Sequence, residues 1–436
     1  MKRGWLAMLL VTLAVIGFAT AGCQGEKPAE TPKPEVVTVK FSYPPYGYDS
    51  MKEEEFWKKH IAEFEKENPG IKIEQTIESW DNVYTKWEQM LQSGDTADIG
   101  YDFPLTVVNY ALEGGLLPVT DVVEKLGGEK AFAPAMRYFR SGGEWYGVPH
   151  GDASMVLLYR KDILKAAGYE HPPRNWDELL EIARACTKDG VYGLGIFTGD
   201  KFYSCQIITA MMKQAGGKML DTEGRLVLDS PENLKALQFL YDLVNVYKVV
   251  PPSAVSWDHG DPANALGTGK VAMCITWGGF GTLLEGMFPE EYKNIGYATQ
   301  PVGPGGTSGS WSGTGGFFIF KNAKHPEEAK KFVEFMCRPE LSKEWALISG
   351  NVSPFVAIAN DPELTRLEWY RAMQEQSATQ LHLGWDYGII PGCFMADVPF
   401  TEAVVAMASH RTKPEEALKT LHREVQKILD DAKARH

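Results

Sequence analysis

The spacing of apolar residues in the first third of the chain alternates between two periods. Val36 to Tyr43 is a β-branched run and Ile71 to Glu78 alternates apolar and polar residues, so both stretches predict strands. Between them, Glu53 to Asn68 carries apolar residues at helical spacing, and Pro69-Gly70 ends that helix. A strand, a helix and a strand within about 45 residues predict a parallel pair joined by a right-handed crossover.

The same alternation continues toward the C-terminus. Pro at the first helical position costs no hydrogen bond, and the Asn175 side chain can cap a helix while Glu178 reaches back. Alternating strands and helices predict an α/β fold, and the length favours two lobes. The further predicted elements are helices beginning at Asn82, Thr106, Asn175, Pro231, Pro326 and Pro414, and strands over Ala97 to Tyr101, Val271 to Thr276 and Phe317 to Phe320.

The N-terminus has the pattern of a targeting segment. Lys2 and Arg3 precede an apolar run of 17 residues from Trp5 to Ala21, which is short for a membrane span of ~20 residues. Small residues then lead directly to Cys23, a placement that resembles a bacterial lipobox, although Thr20 stands where the common pattern has Leu. Residues 1–22 are therefore predicted to be a lipoprotein signal peptide, the alternative being an ordinary signal peptide followed by a Cys.

A tether follows the predicted lipidation site. Residues 23–35 begin with Cys23, are otherwise mostly polar, contain three prolines and show no apolar periodicity, which is typical of an extended spacer. No later stretch is long and apolar enough to span a bilayer. We expect a folded body outside the cytoplasm, held at the cell membrane by the lipid on Cys23.

Composition and charge argue against several classes of protein. The 436 residues are 44% hydrophobic, 23% charged and 11% aromatic, which excludes a disordered chain or a coiled-coil rod. With 44 basic and 57 acidic side chains, the net charge is 44 − 57 = −13. This charge argues against a nucleic-acid partner, because general binding to phosphates needs a basic surface.

Signatures of catalysis, metal binding and cofactor binding are absent from the sequence. It contains no HExxH, no P-loop and no GxGxxG between a strand and a helix. The loop from Gly303 to Gly316 lacks the P-loop Lys and runs into a strand, so its glycines suit a mobile connection or a close backbone approach to a ligand. The cysteines form no CxxC pair, and whether Cys186 and Cys205 are bridged stays open. We expect no catalytic residue, no metal and no cofactor.

Aromatic side chains beside acids recur at the predicted ends of elements. An indole covers the apolar face of a sugar ring while carboxylates bind its hydroxyls, so these positions are candidate ligand contacts, against the alternative of core packing and helix caps. At helical spacing, Trp57, Trp87, Trp345 and Trp369 are predicted to be core residues. The candidate contacts are Trp80-Asp81, Tyr101-Asp102, Trp257-Asp258 and Trp385-Asp386, with Trp277 and Trp311 as aromatics without the acid.

Several segments, in matching order and spacing, resemble the family 1 extracellular solute-binding proteins of ABC importers, the group that includes maltose-binding protein. The resemblance implies two α/β lobes of the periplasmic-binding-protein type (type II) joined by a hinge, residues 36–150 with 317–350 forming one lobe and residues 151–316 with 351–436 the other. The segments are Trp145 to Pro149, Met155 to Asp162, Asn175 to Leu179, Asp229 to Glu232, Gly269 to Met273, Gly315 to Phe320 and His325 to Ala329.

The resemblance also implies a function. A monomeric lipoprotein would capture a mono- or oligosaccharide between its lobes and deliver it to the permease subunits of an ABC importer, without chemistry of its own. Two alternatives stay open: a non-sugar solute such as a polyamine, held by carboxylates and cation–π contacts, or a surface glycoside hydrolase using two of the Asp side chains. The positions that match ligand contacts in the family are Asp81, Asp102, Asp152, Trp257, Trp277, Gly315 and Trp385.

Overall fold

Strands and helices alternate along the chain in the computed structural model, which describes residues 36–80, 82–199, 203–381 and 397–435. The predicted signal peptide, Cys23 and the tether lie outside the described residues, and so do Asp81, Trp385 and Asp386. Among the described residues, no helix is both long enough and apolar enough to cross a membrane.

The strands are short and mostly buried. They are β1 (Val37–Tyr43), β2 (Ile71–Ile77), β3 (Ile99–Asp102), β4 (Leu116–Leu117), β5 (Arg140–Ser141), β6 (Glu144–Trp145), β7 (Val148–Gly151), β8 (Met155–Arg160), β9 (Tyr192–Gly195), β10 (Val271–Trp277), β11 (Ile295–Ala298), β12 (Ser310–Trp311), β13 (Gly315–Phe320) and β14 (Gln380–Leu381).

The helices cover the sheets, and many of them start at Pro. They are α1 (Ser50–Glu67), α2 (Val83–Ser93), α3 (Pro104–Leu112), α4 (Thr120–Lys125), α5 (Lys161–Ala166), α6 (Trp176–Cys186), α7 (Tyr203–Gln214), α8 (Pro231–Tyr241), α9 (Asp261–Gly267), α10 (Gly281–Met287), α11 (Pro289–Tyr292), α12 (Pro326–Met336), α13 (Pro339–Ser349), α14 (Val356–Ala359), α15 (Pro362–Thr365), α16 (Glu368–Ser377), α17 (Asp397–Ala408) and α18 (Pro414–Arg435).

The first sheet has the order β2-β1-β3-β13-β4, with β7 also paired to β13. β1 runs parallel to both β2 and β3, with Val37 opposite Ile71, which confirms the parallel pair predicted from the sequence. β13 runs antiparallel to β3. The helices on this sheet bury Trp57, Trp87 and Trp345 completely, as their helical spacing predicts.

The second sheet has the order β11-β8-β10-β9 and its own hydrophobic core. All seven residues of β10 are buried, because helices pack around this central strand. Trp369 of α16 joins this core, again as predicted. The chain passes from the first sheet to the second between Gly151 and Met155, and it returns between Ala298 and Gly315.

Local signals set most element boundaries. The Asn175 side chain accepts a hydrogen bond from the backbone N–H of Glu178 at 2.9 Å, and the Glu178 carboxylate reaches back to the N–H of Arg174 at 2.9 Å. The predicted capping interaction therefore forms, although Glu178 binds one residue earlier than in the standard box. Helix α3 begins at Pro104, two residues before the predicted Thr106, because Pro suits the first turn of a helix.

Two questions left open by the sequence are answered by packing. Cys186 and Cys205 are both free, buried thiols, so they do not form a bridge. The glycine-rich loop lies against its own chain: a Cβ on Gly303 would stand 2.3 Å from the carbonyl oxygen of Gln214, and one on Gly305 would stand 2.3 Å from the backbone nitrogen of Gly216. Glycine is required there for close backbone packing on the end of α7.

Candidate functional site

A cavity of about 480 Å³ opens where residues from both sheets meet. Its size falls in the range of small-molecule binding sites. Three of the lining residues, Ala153, Gly313 and Asn351, lie in segments close to where the chain passes between the sheets. The described lining residues are Pro45, Tyr46, Gly47, Tyr48, Trp80, Tyr84, Phe103, Ala153, Tyr203, Gln206, Asp258, His259, Trp277, Gly313, Asn351, Asp397 and Val398.

One wall of the cavity consists of aromatic residues that follow parallel strands. Tyr46, Trp80 and Phe103 come after β1, β2 and β3, and the carboxyl ends of such strands form the usual ligand edge of an open α/β sheet. The Trp80 and Phe103 rings stack at 5.5 Å with 17° between their planes, and Tyr46 lies 5.1 Å from Trp80. The indole N–H of Trp80 donates to the carbonyl of Pro45 at 3.0 Å, which fixes the orientation of the ring.

A second wall of the cavity is also aromatic. The Tyr48 and His259 rings are parallel within 4° at 5.8 Å, and Phe280 packs against both. Burial lowers the pKa of His259 to about 4, so this ring is neutral at pH 7. Trp277, the last residue of β10, lies against Gly313, where a Cβ would stand 2.5 Å from the indole ring. Only Gly leaves room for the indole in this position.

The polar groups of the cavity include two carboxylates and a buried amide. Asp258 is exposed and accepts a hydrogen bond from the backbone N–H of His259 at 2.8 Å. Burial raises the pKa of Asp397 to about 6. Gln206 is 2% exposed, and its Oε1 has no hydrogen-bond partner among the described residues. No Lys or Arg is found among the described lining residues.

The structure brings only part of the predicted contact set to this cavity. Trp80, Asp258 and Trp277 line it, whereas Tyr101, Asp102, Asp152, Trp257, Trp311 and Gly315 do not. Sequence reasoning missed the other aromatic and polar lining residues. These are Tyr46, Tyr48, Tyr84, Phe103, Tyr203, Gln206, His259, Asn351 and Asp397.

Asp102 lies behind the first wall and contacts it through Tyr46. Its side chain is fully buried, and Oδ1 accepts the hydroxyl of Tyr46 at 2.7 Å. Burial raises the pKa of Asp102 to about 6, although hydrogen bonds, including the one from Tyr46, act in the opposite direction. The neighbouring Tyr101 is also fully buried, and Gly315 packs on it, since a Cβ there would stand 2.6 Å from the tyrosine ring. These three residues support the wall from within the first sheet.

The remaining predicted contacts are packed in the interior. Trp257 is 9% exposed and Trp311 is 2% exposed, and both belong to the core of the second sheet. Asp152 is 2% exposed, and its carboxylate accepts hydrogen bonds from Thr314 at 2.7 Å and from Gln380 at 2.7 Å. Each of these side chains has a structural role at its place in the fold.

A buried carboxylate holds the segment that carries Tyr46 and Tyr48. Glu53 is 3% exposed, and its Oε2 accepts the N–H of Gly47 at 2.8 Å. Its Oε1 accepts the N–H of Tyr46 at 3.2 Å and the indole N–H of Trp57 at 3.2 Å. Because three donors converge on this carboxylate, Glu53 fixes the backbone that presents both tyrosines to the cavity.

Replacing Glu53 with Gln tests this positioning role. The amide of Gln would bring an N–H donor next to the three N–H groups that now donate to the carboxylate, so at least one of them would lose its acceptor. We expect the free energy of unfolding to fall by about 1–3 kcal/mol and ligand affinity to fall several-fold. Urea unfolding and calorimetric titration measure the two effects. Glu54→Gln is the matched control, because Glu54 is 49% exposed and the loss of a surface charge costs little. Unchanged affinity in a destabilised Glu53→Gln variant would contradict the positioning role.

The described residues offer no metal site. Within residues 36–80, 82–199, 203–381 and 397–435, no group of three or more His, Cys, Asp or Glu side chains could hold a metal ion. The cavity instead combines flat aromatic surfaces with a few hydrogen-bonding groups. That combination suits an organic solute with both apolar faces and polar edges.

Comparison with known proteins identifies the family. Residues 48–342 match the model of the bacterial extracellular solute-binding proteins. The arabinooligosaccharide-binding protein of Halalkalibacterium halodurans is 26% identical over 300 residues, covering 66% of this chain and 66% of that protein. Maltose-bound MalE3 of T. maritima has a similar structure, with a TM-score of 0.77 and 24% identity over 90% of this chain and 100% of that chain.

A further solved structure agrees. The ABC transporter solute-binding protein from Thermotoga lettingae TMO, bound with alpha-D-tagatose, has a TM-score of 0.77 and 25% identity over 90% of this chain and 99% of that chain. The resemblance seen in the sequence and the two-lobed α/β fold are therefore confirmed. The match to the family extends over more than half of the chain. This protein belongs to the bacterial extracellular solute-binding proteins, which act outside the cytoplasm.

Proposed function

We propose that this protein captures a carbohydrate in the cavity between its lobes and delivers it to the permease of an ABC importer, without catalysis. The observation that carries the proposal is the pair of aromatic walls, led by Trp80 and Trp277, with polar groups between them. A sugar ring presents apolar C–H faces to such walls and hydroxyls to Asp258 and Gln206. One relative is named an arabinooligosaccharide-binding protein, and two similar structures hold maltose and tagatose, which supports this choice.

The proposal includes the organisation of the molecule. Residues 36–150 with 317–350 form one lobe and residues 151–316 with 351–436 the other, and contacts made only in the closed state drive a hinge motion. A lipid on Cys23 holds the monomeric protein near its permease and raises its local concentration there. Asp81, Trp385 and Asp386 stay in the proposed contact set, together with Trp80, Asp258 and Trp277. The buried Tyr101, Asp102, Asp152, Trp257, Trp311 and Gly315 support the site from behind.

A thermal-shift screen of the chain from residue 24 tests the function. Mono- and oligosaccharides, including arabino- and malto-oligosaccharides, are compared with polyamines. A ligand at a hundred times its Kd stabilises the folded state by about 2.7 kcal/mol, so the unfolding midpoint rises clearly. We expect a rise with one carbohydrate class and no release of reducing sugar from it. A rise with polyamines alone, or hydrolysis of the bound glycan, would overturn the proposal.

A further inference from the structure

Several hydrogen-bond acceptors border the open volume of the cavity. Gln206 is buried, and within the described part of the chain its Oε1 has no hydrogen-bond partner, although the residue borders the open volume. Asp258 and Asp397 also face this volume, and an ionised carboxylate accepts hydrogen bonds but donates none. By contrast, the indole N–H of Trp80 is already bound to the carbonyl of Pro45. A ligand with several donors would meet these acceptors.

The same volume has negative charge without a described counter-charge. The hydrogen bonds that offset the burial of Asp397 come from its own backbone N–H and that of Val398, and no Lys or Arg is found among the described lining residues. The neighbouring His259 is held neutral by burial. A positive ligand would add a counter-charge that the described lining residues do not supply.

We propose that the cavity prefers a carbohydrate that carries a protonated amine over its neutral counterpart. This inference rests on the proposed function and names the ligand class within it. An ammonium group is a pure donor with positive charge, and its hydrogen bonds to carboxylates are about twice as strong as neutral ones. The aromatic walls of Tyr46, Trp80, Tyr48 and Trp277 favour the same ligand, because ring faces attract cations as well as sugar C–H faces.

Matched sugar pairs test the preference. Binding of glucosamine is compared with glucose, galactosamine with galactose, and glucosamine oligomers with N-acetylglucosamine oligomers of equal length, by calorimetric titration at pH 7. We expect the amine of at least one pair to bind tenfold or more tightly than its neutral partner. Asp397→Asn and Asp258→Asn keep the size of the side chain and should each reduce that ratio several-fold. Asp431→Asn removes the same charge at an exposed position on α18, away from the lining, and should leave the ratio unchanged.

Each outcome separates this inference from the proposed function. Equal binding within every pair, or binding confined to neutral sugars such as maltose or an arabino-oligosaccharide, would overturn the amine preference while the carbohydrate function stands. Binding of spermidine as tight as that of the amino sugar would overturn the requirement for a sugar. If no carbohydrate of either kind binds, both proposals fail. An amine preference that persists in both Asn variants would show that these carboxylates do not cause it.

Discussion

Trp277→Ala is expected to weaken carbohydrate binding at least about thirtyfold, ~2 kcal/mol, which is the size of effect seen when a central aromatic contact is truncated. Trp277 borders the cavity at the end of β10, and its ring is held there by contact with Gly313. Calorimetric titration with the carbohydrate selected in the thermal-shift screen measures the loss. Trp277→Phe should keep part of the affinity, because a smaller ring still covers part of the sugar face.

Trp311→Ala is the matched control for this experiment. Trp277 and Trp311 are 5% and 2% exposed and pack in the same core, but only Trp277 borders the cavity. Both truncations should lower the free energy of unfolding by about 3–5 kcal/mol, because each removes a large buried ring. Only Trp277→Ala should lower affinity when binding is measured well below the unfolding midpoint. Equal losses of affinity in the two variants would contradict the assignment of Trp277 as a direct contact.

Much of the fold could be predicted because its signals are local. Helices that begin at Pro231, Pro326 and Pro414 need only a proline and an apolar stripe to be recognised. The parallel pairing of β1 with β2 follows from the length of the crossover. The burial of Trp57, Trp87, Trp345 and Trp369 follows from helical spacing. In each case, residues close in the sequence decide the result.

The site was harder to predict because its residues meet only in the folded chain. Asp102 and Asp152 have the side-chain chemistry of sugar contacts, but both point into the interior, and nothing local in the sequence sets that direction. Tyr46 has no acid beside it, and the search for aromatic-acid pairs overlooked Tyr48-Asp49. A usable signal did exist: Pro44-Pro45-Tyr46-Gly47-Tyr48 directly follows a predicted parallel strand, where ligand loops are usual.

The carboxylate of Asp152 lies where the chain passes between the sheets, and it binds several segments there. Its backbone N–H and carbonyl pair with Val352 at 2.8 and 2.7 Å, and its side chain accepts hydrogen bonds from Thr314, Ser377 and Gln380 at 2.7, 2.5 and 2.7 Å. One residue thereby joins the first passage, the return passage and the segment after α16. The network therefore ties the two passages between the sheets to the segment after α16.

Asp152→Ala is expected to lower the free energy of unfolding by about 3–5 kcal/mol, because three buried donors lose their shared acceptor. Asp152→Asn should cost about half as much, since the amide nitrogen can take the place of Oδ2, where the Ser377 hydroxyl rotates to accept, while Thr314 and Gln380 still donate to the remaining oxygen. Urea unfolding at constant pH measures both losses. Asp431→Ala, at an exposed position, should change the free energy of unfolding by less than about 0.5 kcal/mol.

The pH dependence of the same variants distinguishes a buried carboxylate from a packing effect. Burial raises the pKa of Asp152 above its ordinary value of 3.8 despite the three hydrogen bonds. The folded state therefore holds this proton more tightly than the unfolded state, and stability due to this group falls as the pH rises from about 4 through the folded pKa. The Asp152→Asn variant lacks this slope, so its deficit relative to the wild type should be largest in acid and smaller at pH 7. A deficit that stays constant across this range would show that folding does not raise the pKa of Asp152.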